Sequence, residues 1–149
     1  MPKVFVTYKI PDVGLNLLKA KCEVVINPYN RLLNKNELIK AASSSDALIT
    51  MLADTIDKDV LESGKGRLKI VANYAVGYNN IDIEKARKLG IYVTNTPGVL
   101  TETTADLAWA LMLAISRRVV ESDAFTRAGK FDGWKPELFL GNDVYGKIL

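Results

Sequence analysis

Along the first hundred residues, short apolar, β-branched runs alternate with longer stretches whose apolar residues recur at helical spacing. Val4-Phe5-Val6, Glu23 to Ile26, Ala47-Leu48-Ile49, Leu68 to Ala72 and Ile91 to Val93 predict strands. Val13 to Ala20, Lys35 to Ala42, Lys58 to Ser63 and Ile83 to Leu89 predict helices. The punctuation agrees: Asp57 and Asp82 stand where helix N-caps belong, and Gly90 follows Lys88-Leu89 as a left-handed C-cap does. Strands separated by single helices pair in parallel through right-handed crossovers, so the expectation is an α/β, five-stranded parallel sheet with helices on both faces. Ligands of such sheets gather at the carboxyl ends of the strands. The loops to watch are therefore Thr7 to Asp12, Thr50 to Thr55, Asn73 to Asn80 and Thr94 to Leu100.

After Pro97-Gly98 the texture changes. Thr101 to Ala128 contains no Gly or Pro and Gly129 closes it, which predicts one long helix with Thr101 or Thr103 as its cap and Asp106 completing a capping box with Thr103. At about 1.5 Å per residue, ~27 residues span roughly 40 Å, more than a small α/β domain needs. Its first half, Leu107 to Ile115, is apolar on every face, which predicts cover on two sides: the sheet domain, and a second domain or second subunit. The remaining residues, Lys130 to Leu149, end in Tyr145-Gly146-Lys147-Ile148-Leu149, an apolar finish that reads as a strand interrupted in mid-course. The division expected is thus a sheet domain over 1–100, an interdomain helix over 101–129 and a linker over 130–149.

Composition removes whole classes of chemistry. There is no histidine, so no Ser-His-Asp or Cys-His pair, no His-based zinc site and no imidazole base. Cys22 is the only cysteine, which rules out an internal disulfide and suits a reducing cytoplasm. Beside the strand Glu23 to Ile26 it reads as a packed thiol. Twenty Lys and Arg against 17 Asp and Glu leave a net charge of +3 spread along the chain, too diffuse for a nucleic-acid surface. The N-terminus lacks the apolar core of a secretory signal, and the longest apolar run is nine residues, far short of a membrane span. A cytoplasmic protein with no membrane partner is expected.

Two glycine-bearing segments imitate nucleotide cradles. Gly141 to Lys147 matches the opening of a P-loop, but Ile148 replaces the magnesium-binding hydroxyl and no strand precedes it. Gly64-Lys65-Gly66 lacks a third glycine and precedes a strand instead of following one. The informative loop is Asn73-Tyr74-Ala75-Val76-Gly77-Tyr78-Asn79-Asn80-Ile81-Asp82, between the fourth strand and a capped helix. Its small residues leave the backbone N–H groups of Ala75, Val76 and Gly77 open to an anion such as a carboxylate. The plainer alternative is a strand-to-helix turn whose glycine serves backbone geometry alone.

The stretch Val71 to Asp82, followed by Gly90-Ile91-Tyr92-Val93-Thr94-Asn95-Thr96-Pro97-Gly98-Val99-Leu100-Thr101 and Thr104-Ala105-Asp106, resembles the D-isomer-specific 2-hydroxyacid dehydrogenases, the glyoxylate reductase branch above all. The resemblance runs from Lys3 to the last residue. It implies a flavodoxin-like or Rossmann-like substrate domain within an enzyme that reduces a 2-oxoacid, or oxidises a 2-hydroxyacid, with NAD or NADP. It places the substrate carboxylate on the backbone amides of Val76 and Gly77, with Ala75 adjacent, and it lines the pocket with Asn73 and Leu52. Thr104 matches a cofactor-contacting position. The long helix matches the dimer interface, so a homodimer is implied. Asn79 departs from the aspartate usual in relatives. The catalytic Arg, Glu and His and the Gly-x-Gly-x-x-Gly lie later in the family pattern than Leu149. The expectation is therefore an N-terminal substrate-binding part, truncated before the nucleotide domain, catalytically silent alone and not binding NAD(P) stably. The contrasting expectation is a stand-alone flavodoxin-like binding, regulatory or dimerisation module without catalysis. A phosphoacceptor or flavin version of it would want acidic or hydroxyl- and glycine-rich residues where Thr7-Tyr8-Lys9 stand.

Overall fold

The structure, a computed structural model, describes residues 1–148. It divides into two compact units, Met1–Val99 and Leu100–Leu149. In the first, strands β1 (Lys3–Val6), β2 (Glu23–Ile26), β3 (Ala47–Thr50), β4 (Ile70–Asn73) and β5 (Tyr92–Thr94) form one sheet in the order β2-β1-β3-β4-β5. Every pairing is parallel. This is the flavodoxin-like doubly wound order. Consecutive strands are connected by α1 (Asp12–Lys19), α2 (Lys35–Ser44), α3 (Lys58–Ser63) and α4 (Ile83–Leu89).

The expected elements fall within two residues of these bounds. Two boundaries teach something. Leu68 is buried but precedes β4, because its N–H turns back to the Gly64 carbonyl before the chain joins the sheet. Thr50 and Asn73, polar residues that a hydrophobicity pattern leaves outside, are the last residues of β3 and β4 and sit opposite each other in register. The caps behave as read: the Asp57 carboxylate accepts from the N–H groups of Asp59 and Val60, the Asp82 carboxylate accepts from that of Lys85, and Gly90 takes φ 69°.

Two apolar clusters hold the unit together. On one face of the sheet, Leu48 and Val71 pack with Leu38, Ala41 and Ala42 of α2, Val60 and Leu61 of α3 and Ala86 of α4. On the other, Val4 and Val6 pack with Leu15 of α1, and Cys22 lies half-buried against them as a packed thiol. Alternate strand residues thus supply opposite faces, as the pleat requires.

The second unit corrects the single long helix. It holds α5 (Thr101–Ser116) and α6 (Val119–Arg127), separated at Arg117-Arg118, where Arg118 takes φ 55°. The cause lies far along the chain. The Asn142 N–H donates to the Ser116 carbonyl at 2.8 Å, the acceptor that the next helical turn would have used. Gly141 approaches so closely that a Cβ on it would collide with that same oxygen. The Arg118 guanidinium stacks over the Phe139 ring at 5.1 Å, and its Nε donates to Glu121. The cap is corrected too: Leu100 holds the N-cap position without a side-chain bond, and the Thr103 hydroxyl donates instead to the Leu100 carbonyl at 3.2 Å. Tyr145 to Ile148 form a turn and coil, not a strand, since no strand of this unit is present among the described residues to pair with them; Leu149 lies outside those residues. No helix among the described residues is long and apolar enough to cross a membrane.

Candidate carboxylate-binding site

Three strand ends of the first unit, those of β1, β3 and β4, converge on a buried polar network. The Thr7 hydroxyl, just past β1, donates to the Asp54 carboxylate, which also accepts from the Met51 N–H at 2.8 Å. Asp54 is 2% exposed, and its second carboxylate oxygen has no partner among the described residues. At the end of β3, the Thr50 hydroxyl donates to Asn73 Oδ1 at 2.9 Å. Asn73 Nδ2 then donates to the Gly77 carbonyl at 2.9 Å and to Asn80 Oδ1 at 3.0 Å. Asn80 Nδ2 closes the circuit on the carbonyls of Asp54, at 2.9 Å, and Met51, at 3.1 Å. Buried polar atoms of this kind hold their geometry because losing a partner costs each of them about 1–3 kcal/mol.

The network fixes the loop from Tyr74 to Asn80 by its carbonyls. The Ala75 carbonyl accepts from the Thr96 N–H at 2.9 Å, the Val76 carbonyl from Asn95 Nδ2 at 2.7 Å and the Gly77 carbonyl from Asn73. No hydrogen bond among the described residues uses the N–H of Ala75, Val76, Gly77 or Tyr78. The described residues include no cis peptide, so each carbonyl and the N–H that follows it point in opposite directions. With three successive carbonyls bonded to Thr96, Asn95 and Asn73, the N–H groups of Val76, Gly77 and Tyr78 point away from those partners, and all three residues are exposed. Successive outward amides make an anion-binding concavity.

Leu52 joins this loop, since a Cβ on Gly77 would lie 3.9 Å from Leu52 Cδ1 and 3.5 Å from Asn79 Oδ1. Leu52, Val76, Tyr74 and Tyr78 are all substantially exposed and give the amides an apolar rim. Asn73 is placed differently from its neighbours: it is 2% exposed and its amide is wholly engaged behind the loop. Thr104 belongs to the second unit, in the first turn of α5, where its N–H donates to the Leu100 carbonyl and its side chain is exposed. Thr7, Thr50, Asp54, Asn80 and Asn95 all lie in the strand-end loops that the sequence picks out, but the sequence reading assigns none of them a role. The signal that could have found them is a polar residue at or just beyond the end of each predicted strand.

Perturbed ionisation lies elsewhere, at the helix starts. Hydrogen bonding to Arg31, with help from the Asn34 N–H, lowers the Glu37 carboxyl to about 2, and this carboxylate completes a capping box at the start of α2. Lys35 lies between Asp57 and Asp59; its hydrogen bond lowers the Asp57 carboxyl, while both carboxylates raise the lysine. No group of three or more metal-ligating side chains occurs among the described residues. Nor do the described residues make a dinucleotide cradle. Gly141 is packed against Ser116, and the segment from Gly141 to Lys147 neither follows a strand nor opens a helix.

Known proteins share this fold and sequence. The profile of the D-isomer specific 2-hydroxyacid dehydrogenase catalytic domain matches residues 4–131. The glyoxylate reductase of Thermococcus kodakarensis is 51% identical over 152 residues, and that of Pyrococcus horikoshii 52%; each match takes in 99% of this chain and 45% of the relative. The chain therefore spans a little under half the length of these curated relatives. Among solved structures, the TT0316 protein of Thermus thermophilus superposes with a TM-score of 0.85 at 44% identity, covering 95% of this chain and 45% of that one. The 2-hydroxyacid dehydrogenase of Ketogulonicigenium vulgare superposes with a TM-score of 0.75 at 29% identity, covering 97% of this chain and 45% of that one. With a family profile spanning most of its length on a fold that matches, the chain belongs to the D-isomer specific 2-hydroxyacid dehydrogenases.

Proposed function

We propose that this chain is the substrate-binding part of an NAD(P)-dependent D-2-hydroxyacid dehydrogenase of the glyoxylate or hydroxypyruvate reductase type. The observation that carries the reading is the row of outward N–H groups at Val76, Gly77 and Tyr78, held by carbonyls bonded from behind. A 2-oxoacid carboxylate bound there accepts from at least two amides, while Leu52 and the Val76 side chain exclude water from its flank. Binding of this kind orients the 2-oxo carbon, and orientation is what a hydride transfer demands of a binding wall. A nicotinamide supplies the hydride in such enzymes. The described residues do not make its cradle, so their part is to bind and orient the acid, with Thr104 assigned to a cofactor contact. No imidazole is present to protonate a developing alkoxide. The 149-residue chain alone should leave the 340 nm absorbance of NADH or NADPH at background with glyoxylate or hydroxypyruvate.

The same reading assigns the apolar surface of α5 to a second copy of the chain. Leu107, Trp109, Leu111, Leu113 and Ile115 are all exposed, Ile115 to 79%. Leu111→Asp should convert a dimer into a monomer or an insoluble protein in light scattering, and an unchanged dimer would remove this helix from the interface. Carboxylate recognition is tested by ligand-observed NMR. Glyoxylate resonances should broaden with the chain present, recover on adding oxamate, and stay broad on adding glycolaldehyde, which lacks the carboxylate. Displacement by glycolaldehyde, or no broadening at all, would overturn the reading.

A further inference from the structure

We infer that Asn95 is a positioning residue for the carboxylate site: its side-chain amide sets the direction of the Gly77 N–H by holding the carbonyl of the same peptide group. The inference rests on the carboxylate reading of the loop and adds to it the residue that orients its central donor. Asn95 Nδ2 donates to the Val76 carbonyl at 2.7 Å, across a sequence separation of 19 residues. The Val76 carbonyl and the Gly77 N–H belong to one trans peptide plane, so fixing the first aims the second.

The neighbouring peptides are held differently. The Ala75 carbonyl is bonded by a backbone group, the Thr96 N–H, which side-chain substitution cannot delete. The Gly77 carbonyl is bonded by Asn73, but that side chain is buried and shared with Thr50 and Asn80, so altering it disturbs the sheet end as well. Asn95 is half-buried, and the bond to Val76 is its only side-chain hydrogen bond among the described residues. It therefore controls one peptide group and little else. The need for control is physical. Gly77 lacks a positive φ, and a Cβ on it would meet only ordinary contacts, with Asn79 and Leu52, so neither strain nor tight packing fixes its peptide. A freely rotating peptide would present its carbonyl to the anion as readily as its N–H. Preorganised donors bind more tightly because no ordering cost remains at the moment of binding.

The test compares the wild-type 149-residue chain with Asn95→Leu, which keeps the branched shape and deletes the donor, and Asn95→Gln, which keeps a donor on a longer arm. Two quantities are read by amide-resolved NMR: the Gly77 N–H residual dipolar coupling, which reports the direction of that bond, and the affinity for glyoxylate. In Asn95→Leu the Gly77 coupling should change while couplings in β1 to β4 do not, and glyoxylate affinity should fall about tenfold, roughly the worth of one charge-assisted hydrogen bond. Asn95→Gln should recover part of both. An unchanged coupling in Asn95→Leu overturns the positioning role, even if binding weakens. A changed coupling with unchanged affinity overturns its relevance to the anion. Absence of glyoxylate binding in the wild type sinks the carboxylate reading and, with it, this inference, whereas wild-type binding with an indifferent Asn95→Leu sinks the inference alone.

Discussion

The two units of this chain use apolar residues in opposite ways. In the first, the buried positions alternate along β1, β3 and β4 and recur at helical spacing in α2, so they pack together on the faces of the sheet. In the second, neither α5 nor α6 contains a buried residue, although α5 carries Leu107, Trp109, Leu111, Leu113 and Ile115. The difference is one of pattern more than of content. A periodic distribution lets an element settle against its own domain, whereas a helix apolar all round makes sense only with cover from several sides. The first unit thus contains its own reasons for folding and the whole of the proposed carboxylate wall.

Deleting similar side chains from both units puts that contrast under the greatest strain. Leu61→Ala, at a residue with 0% exposure, should cost about 2–5 kcal/mol in urea denaturation. Val120→Ala in α6, where the valine is 74% exposed, should cost about 0.5 kcal/mol or less. Equal losses would mean that the second unit has a core of its own. A smaller effect belongs to the capping of α3: Asp57→Ala deprives two N–H groups of their acceptor and should cost about 1 kcal/mol, whereas Thr103→Ala, which removes no cap from α5, should be close to neutral. The smallest effect is acidic. Because the folded Glu37 carboxyl titrates near 2, below its ordinary 4.5, its contribution is complete above about pH 4.5 and disappears as the pH falls toward 2. Denaturation midpoints of Glu37→Gln should lose that part of the acid slope, and a wild-type slope would detach the capping box from acid stability.

What could be read from the sequence follows the same division. Periods of 2 and 3.6, with Asp57, Asp82 and Gly90 as punctuation, identify every strand and helix of the first unit, since those signals are local. The break between α5 and α6 could not be read, because its cause is the Asn142 N–H arriving at Ser116 from a distant segment. The loop from Asn73 to Asn80 stood out by its small residues. What holds it did not: Thr50, Asp54, Asn80 and Asn95 become neighbours only when parallel strands bring their ends together. The family resemblance supplied the carboxylate, and the structure supplies a physical reason for it in the bonded carbonyls behind the amides.

A residue-resolved titration of the 149-residue chain with glyoxylate puts the carboxylate wall to its hardest test. Saturable shifts should appear at the amides of Val76, Gly77 and Tyr78 and leave those of α5 and α6 unmoved. Saturable shifts centred in α5 or α6, or none in the loop, would contradict it.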